Sequence, residues 1–353
     1  MTETADGRDE AAPLFPSVDD ARSPAPDVAP TVAASRAGRR FGRGSGATAR
    51  ADVEHVISDV EHAMKDLEAR AREMDARLEV RAGRNLPKAV FFGLVLGLSL
   101  LFSLIVFKEL FMLFGAALVA FTSYELASAL RFAGRDVPRI PIVIASVGVI
   151  APAFYFGAEG LWWAILAGAA FVSLWRIIEI VRPSMRQPGV SLRTDLAAGL
   201  FVLAYVPLLG GFAVVMAAEE GGQWWTLAYL IIVISIDTGA YAAGISFGKH
   251  PMAPRISPKK TWEGFAGSVL VALLAGVGVA LFMLQEEWWI GILLAVLLVG
   301  TATLGDLTES LIKRDLGIKD ISTWLPGHGG FLDRLDSILP SSVVAYAVFV
   351  LVA

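Results

Sequence analysis

Cysteine is absent from all 353 residues, which excludes disulfides, thiolate zinc sites, iron–sulfur clusters and a cysteine nucleophile. Histidine occurs only four times, so a metal would have to be held mainly by oxygen, and carboxylates become the candidate ligands. Charge is scarce too, at 18% of residues against 55% hydrophobic, and mean hydropathy is +0.61. A soluble globule of that composition would carry more apolar surface than it could bury. A net charge of -4 and a pI near 5.7 argue against nucleic acid as a partner, but leave small phosphate ligands open because those respond to local charge.

What charge there is lies unevenly, with 30 of the 64 charged residues before Ala89. Residues 1–50, which include Pro24-Ala25-Pro26 and Gly42-Arg43-Gly44-Ser45-Gly46, have no hydrophobic periodicity and read as a disordered cytoplasmic tail. They lack the basic start and apolar core of a secretory signal, so the N-terminus is expected to stay on the side of synthesis. Over 51–85 the ladders Val53-Val60-Leu67-Met74 and Ile57-Met64-Ala71-Leu78 interleave at spacings of four and three. That is an amphipathic heptad helix, suited either to pairing two copies or to lying on the protein or on lipid headgroups.

Residues 86–353 read as an all-α, polytopic transmembrane body of about nine spans: 89–107, 110–124, 140–157, 161–181, 196–217, 223–247, 265–284, 288–305 and 338–353. The connections after alternate segments are basic (Arg131, Arg135, Arg139; Arg182, Arg186, Arg193; Lys249, Arg255, Lys259, Lys260; Lys313, Arg314, Lys319), and the turns between them carry Glu159, Glu219, Glu220, Glu286 and Glu287. This alternation places the basic connections and the N-terminus in the cytoplasm. The pairs Trp162-Trp163, Trp224-Trp225 and Trp288-Trp289 start segments beside the acidic turns, where indoles serve as interface anchors.

Polar residues concentrate in two of the basic stretches, 237–263 and 306–336. On a helix Asp306, Glu309, Ser310 and Lys313 share one face, and Asp333 and Asp336 share another. Converging carboxylates of this kind suit Mg²⁺, which takes one or two of them and leaves other positions to water and substrate phosphate. Gly327-His328-Gly329-Gly330 is permissive enough to bring backbone N–H groups close to a phosphate. Asp237 lies at a span end among Gly239, Gly244 and Gly248, where an ionisable group needs a partner and the glycines favour close helix packing.

The run Ser310-x-Ile312-Lys313-Arg314-x4-Lys319-Asp320-x-Ser322-x2-Leu325-Pro326-x-His328-Gly329-Gly330-Phe331-x-Asp333-Arg334-Leu335-Asp336 resembles the signature of the phosphatidate cytidylyltransferases, the CDP-diacylglycerol synthases. The likeness extends through Asp237-Thr238-Gly239-Ala240-Tyr241 and Ile256-Ser257-Pro258-Lys259-Lys260-Thr261-Trp262-Glu263-Gly264, but does not reach the first 85 residues. It implies transfer of the cytidylyl group of CTP to phosphatidic acid, giving CDP-diacylglycerol and pyrophosphate, with Mg²⁺ and a monovalent cation such as K⁺. It also implies a homodimer, in the inner or plasma membrane of the cell, with a cytoplasmic active site.

Carried over by position, Asp306, Asp333 and Asp336 would bind metal, with Asp320 a further member of that carboxylate set. Lys313, Arg314, Lys319 and Arg334 would clamp phosphate, and His328 would orient nucleotide or metal-bound water. Ser257, Lys259, Lys260, Thr261, Ser310, Gly329 and Gly330 would contact substrate, and Glu263 would hold one of the lysines. Another membrane lipid phosphotransferase shares metal and lipid phosphate but not the nucleotide. A transporter would spread its polar residues over several spans near mid-bilayer, whereas here they gather at one surface.

Overall fold

The structure is a computed structural model, and it describes residues 86–181, 191–322, 324 and 329–352. The tail 1–50, the heptad helix 51–85, Arg182, Arg186 and His328 lie outside the described residues. A chain this apolar must satisfy its backbone polar groups internally, and it does so almost entirely as helices. In order these are α1 (Leu86–Val106), α2 (Lys108–Phe132), α3 (Arg139–Val181), α4 (Leu192–Leu203), α5 (Leu209–Ala218), α6 (Gly222–Phe247), α7 (Trp262–Val279), α8 (Trp288–Asp315), α9 (Leu332–Leu335) and α10 (Ile338–Val352).

All nine expected apolar segments are helical, and among the described residues seven helical stretches are long and apolar enough to cross a membrane. The first segment supplies only the shorter apolar stretch Gly93–Val106. Segments three and four join in α3, which folds back on itself at Gly157 (φ 61°, ψ -148°), a backbone conformation that glycine adopts without a Cβ clash. The doubling-back is visible where a Cβ on Gly168 would sit 3.4 Å from the Cβ of Ala145. Segment five is interrupted by a π-helical turn, Ala204–Leu208, at Pro207, which has no N–H to give to the helix ladder.

Two segment ends differ from expectation. The second segment continues beyond Tyr124 to Phe132, and the eighth continues beyond Gly305 to Asp315, so charged residues ride on the same rigid helices as the apolar spans. The two strands among the described residues form a hairpin between α6 and α7. Its strands, β1 (Pro251–Ala253) and β2 (Ser257–Thr261), pair antiparallel with Pro251 opposite Thr261 and Ala253 opposite Ser257.

Close helix approaches bring the two polar stretches together. A Cβ on Gly239 of α6 would lie 2.9 Å from the carbonyl oxygen of Gly267 on α7, so only small residues permit this crossing. Gly305 of α8 is as tightly placed, because a Cβ there would meet the carbonyl oxygen of Asp336 at 2.3 Å and Pro340 Cγ at 2.6 Å. The next residue, Asp306, is thereby held beside the α9–α10 junction.

Candidate active site

Asp237, Lys259, Lys260, Thr261, Asp306, Asp333, Arg334 and Asp336 all line one open cavity of about 470 Å³. Residues 70 to 100 apart in the chain thus share a wall. α6 contributes Asp237, the hairpin contributes the lysines and Thr261, α8 contributes Asp306, and the segment around α9 contributes the remaining acids and Arg334. A second cavity of about 730 Å³ is lined by Ser257, Lys259, Ser310, Lys313, Arg314 and Lys319, among others, with no carboxylate among its lining residues. Lys259 belongs to both.

The hairpin is fixed to the helices by polar contacts. Thr261 caps α7 by accepting from the Gly264 N–H at 3.1 Å, which satisfies one of the donors left open at a helix start. The Arg314 guanidinium donates to the Ile256 carbonyl at 3.3 Å, bracing the hairpin tip against α8. Glu263 does not hold a lysine side chain. It accepts from the backbone N–H groups of Lys249 (3.1 Å) and His250 (3.2 Å) and contacts His250 Nδ1 at 2.5 Å, closing the base of the hairpin.

Inside the first cavity the charges are partly paired. The Lys260 ammonium forms an ion pair with Asp306, and the Ser310 hydroxyl donates to Asp306 Oδ1 at 3.4 Å. Lys313 bridges Glu309 on its own helix (2.5 Å) and Asp333 (3.0 Å), joining α8 to α9 as the i, i+4 spacing of Glu309 and Lys313 permits. Asp333 also accepts the Gly330 N–H at 2.8 Å, so that amide turns to a carboxylate of the protein and not outward to a phosphate. Gly329 sits at φ 81°, where a Cβ would strike Asp333 Oδ2 at 2.8 Å. Asp320 is exposed and lines neither cavity.

One participant was given no role by the sequence and another escaped it. Glu309, placed on the face of Asp306, Ser310 and Lys313, is 1% exposed and stands between Lys313 and the interior, with Oε1 lacking a hydrogen-bond partner among the described residues. Glu125, on α2, is 2% exposed and accepts from the Phe331 and Leu332 N–H groups and the Ser322 hydroxyl. An isolated carboxylate in an apolar helix was the available signal, since such a group needs a partner.

Residues 87–352, three quarters of the chain, match the sequence pattern described as the Cytidylyltransferase family. The chain belongs to the cytidylyltransferase family. Relatives named phosphatidate cytidylyltransferase include one from Mycobacterium bovis, 41% identical over 277 residues, covering 77% of this chain and 90% of that protein. One from Mycobacterium leprae is 39% identical over 280 residues, covering 77% and 89%. A third, from Staphylococcus epidermidis, is 41% identical over 146 residues, covering 41% of this chain and 55% of its own length. In this cytidylyltransferase-family chain the signature run contributes Ser310, Lys313, Arg314 and Lys319 to the cationic cavity and Asp333, Arg334 and Asp336 to the acid-bearing one.

Proposed function

We propose that the chain is a phosphatidate cytidylyltransferase, joining CTP to phosphatidic acid and releasing pyrophosphate at the surface of the membrane that its helices span. The observation that carries this reading is the acid-bearing cavity walled by both polar stretches, next to one whose charged lining residues are all cationic. A phosphate oxygen of phosphatidate is already an anionic nucleophile, so the protein needs alignment and charge neutralisation more than a strong base. Attack on the CTP α-phosphorus forms the new P–O bond as the bond to the β-phosphate oxygen breaks, and pyrophosphate departs with the electron pair.

The cavity bearing Lys259, Lys313, Arg314 and Lys319 suits the departing phosphates, since guanidinium meets phosphate with two parallel donors and ammonium with a point charge. Lys259, shared between the cavities, stands where the α-phosphate and the leaving group would meet. The acid-bearing cavity suits Mg²⁺. No group of three or more candidate ligands among the described residues is close enough to hold an ion unaided, but the donor set is all oxygen. Mg²⁺ keeps several waters and borrows substrate phosphate, so one or two carboxylates suffice. One or two of Asp306, Asp333 and Asp336 would hold it, and when bound it supplies charge neutralisation at the reacting phosphates. Lys260 and Lys313, which neutralise Asp306 and Asp333 in this structure, would turn toward substrate phosphate.

The reading extends to a monovalent cation such as K⁺, a homodimer, and a cytoplasmic active site in the plasma membrane. Its test is a substrate panel on the purified full chain with Mg²⁺. CTP with phosphatidate should yield CDP-diacylglycerol, and replacing phosphatidate by diacylglycerol, which lacks the nucleophilic phosphate, should give nothing. Product from ATP or UTP at the rate of CTP would point to a different phosphotransferase.

A further inference from the structure

Glu125 lies about 200 residues from the signature in sequence and yet is bound to it on three sides. Its Oε1 accepts the Phe331 N–H at 3.1 Å and the Ser322 hydroxyl, and its Oε2 accepts the Leu332 N–H at 3.0 Å. The aromatic side chains beside it on α2 grip the same segment. Phe121 stacks on Phe331 at 5.0 Å and meets Trp324 edge-on at 5.9 Å, while Tyr124 stacks on Trp324 at 5.3 Å. Gly330 is packed against the carboxylate so closely that a Cβ would come within 3.0 Å of Oε2. From that fixed point Gly330 donates to Asp333, and Asp333 pairs with Lys313.

The geometry points to Glu125 as a positioning residue that fastens the segment 329–333 to α2 and so sets where Asp333 presents its carboxylate to the cavity. A charge buried in an apolar helix is costly unless paired, and here every recorded partner comes from the signature segment. A charged acceptor holds successive amides more firmly than a neutral one, which explains a glutamate at a place where burial disfavours it. α2 is a 25-residue helix packed into the core, so it is a rigid mount for a segment with little regular structure of its own.

The kinetic half of this inference rests on the cytidylyltransfer reading, and the structural half does not. The test uses the purified full chain in lipid nanodiscs, comparing wild type with Glu125→Gln and Ser322→Ala. Amide hydrogen exchange and steady-state kinetics are read on the same samples. In Glu125→Gln, peptides over 329–335 should exchange at least about tenfold faster, while those over 222–247 keep the wild-type rate. Turnover kcat should fall about 100-fold, as expected for a misplaced reacting group, with KM for CTP within about threefold of wild type. Ser322→Ala, which removes one donor of three, should move both readouts the same way by less. Unchanged exchange over 329–335 overturns the proposal, and so does faster exchange with kcat intact. A wild type that turns over no CTP would sink the functional reading alone, because the exchange comparison still decides whether Glu125 holds the segment.

Discussion

Two clusters of charge in this molecule use the same residue types to opposite ends. In one, the Arg176 side chain, 4% exposed, reaches Asp136 (2.8 Å), Glu179 (3.0 Å) and Asp195 (2.6 Å), while Asp195 also accepts the Asp136 N–H at 3.0 Å. Arg131 completes the knot with Asp136 at 3.2 Å. In the other, Asp237, Lys259, Lys260, Asp306, Asp333, Arg334 and Asp336 face an open cavity, and Lys259 and Lys319 make no ion pair among the described residues. The first cluster is closed and tethers the turn before α3 to the far end of α3 and to α4. The second leaves charge facing space that a ligand of opposite charge can enter. Placement at a helix end therefore does not distinguish structural from functional charge, whereas saturation by protein partners does.

The largest expected effect breaks the open cluster. Asp333→Asn should lower turnover by at least about 100-fold, the scale of losing a group that acts on transition-state charge, while membrane insertion and thermal midpoint stay near wild type. Initial rates at saturating CTP and limiting Mg²⁺ check this, and near-normal rates would remove Asp333 from the metal-binding set. The mirror experiment breaks the closed cluster. Arg176→Met leaves the buried Asp195 without its cation, while Asp136 keeps Arg131, and should cost about 3–5 kcal/mol of stability. Thermal unfolding in detergent measures it, and the molecules that remain folded should keep kcat within about threefold.

Smaller effects sharpen the boundary. Lys259→Gln should reduce kcat/KM for CTP by roughly tenfold to 150-fold, the range for a lost charged hydrogen bond of about 1.5–3 kcal/mol. Lys260→Gln should do the same and also free Asp306 from its ion pair, so the two variants together should be non-additive. Unchanged kinetics would return both lysines to the role of basic loop residues that favour one face of the membrane. The smallest effect is expected from a chain starting near Arg84. It omits the first 83 residues, ahead of the family match at 87–352, and should keep cytidylyltransfer within about threefold of the full chain. An inserted but inactive truncation would make the N-terminal part a contributor to the site.

The apolar segments were legible because each is a long run with little or no charge and few other ways to satisfy its backbone in lipid. The two polar stretches were legible because charge is rare elsewhere in the body. Their meeting in one cavity was not, since it depends on α6–α7 and α8–α10 crossings fixed by Gly239, Gly267 and Gly305, glycines that resemble others in the spans. Glu125 was hidden by a segment end placed at Tyr124, the residue just before it and eight short of the helix end, which made a buried group look like the start of a loop. Arg176 and Glu179 lay inside a recognised span and could have been flagged as charges needing partners, but Asp136 and Asp195 come from two separate connections that only folding brings to them. The hairpin at 251–261 was missed because β2, Ser257–Thr261, is rich in lysine and proline and shows no alternating apolar pattern.

The claim that the open cluster is a cytidylyltransfer site meets its most direct test in product stoichiometry. Purified wild-type chain, given CTP, phosphatidate and Mg²⁺, should form CDP-diacylglycerol and pyrophosphate in equal amounts, and Asp333→Asn purified in parallel as a folded protein should form neither above background. Equal product from the two proteins, or pyrophosphate from the wild type without CDP-diacylglycerol, would contradict it.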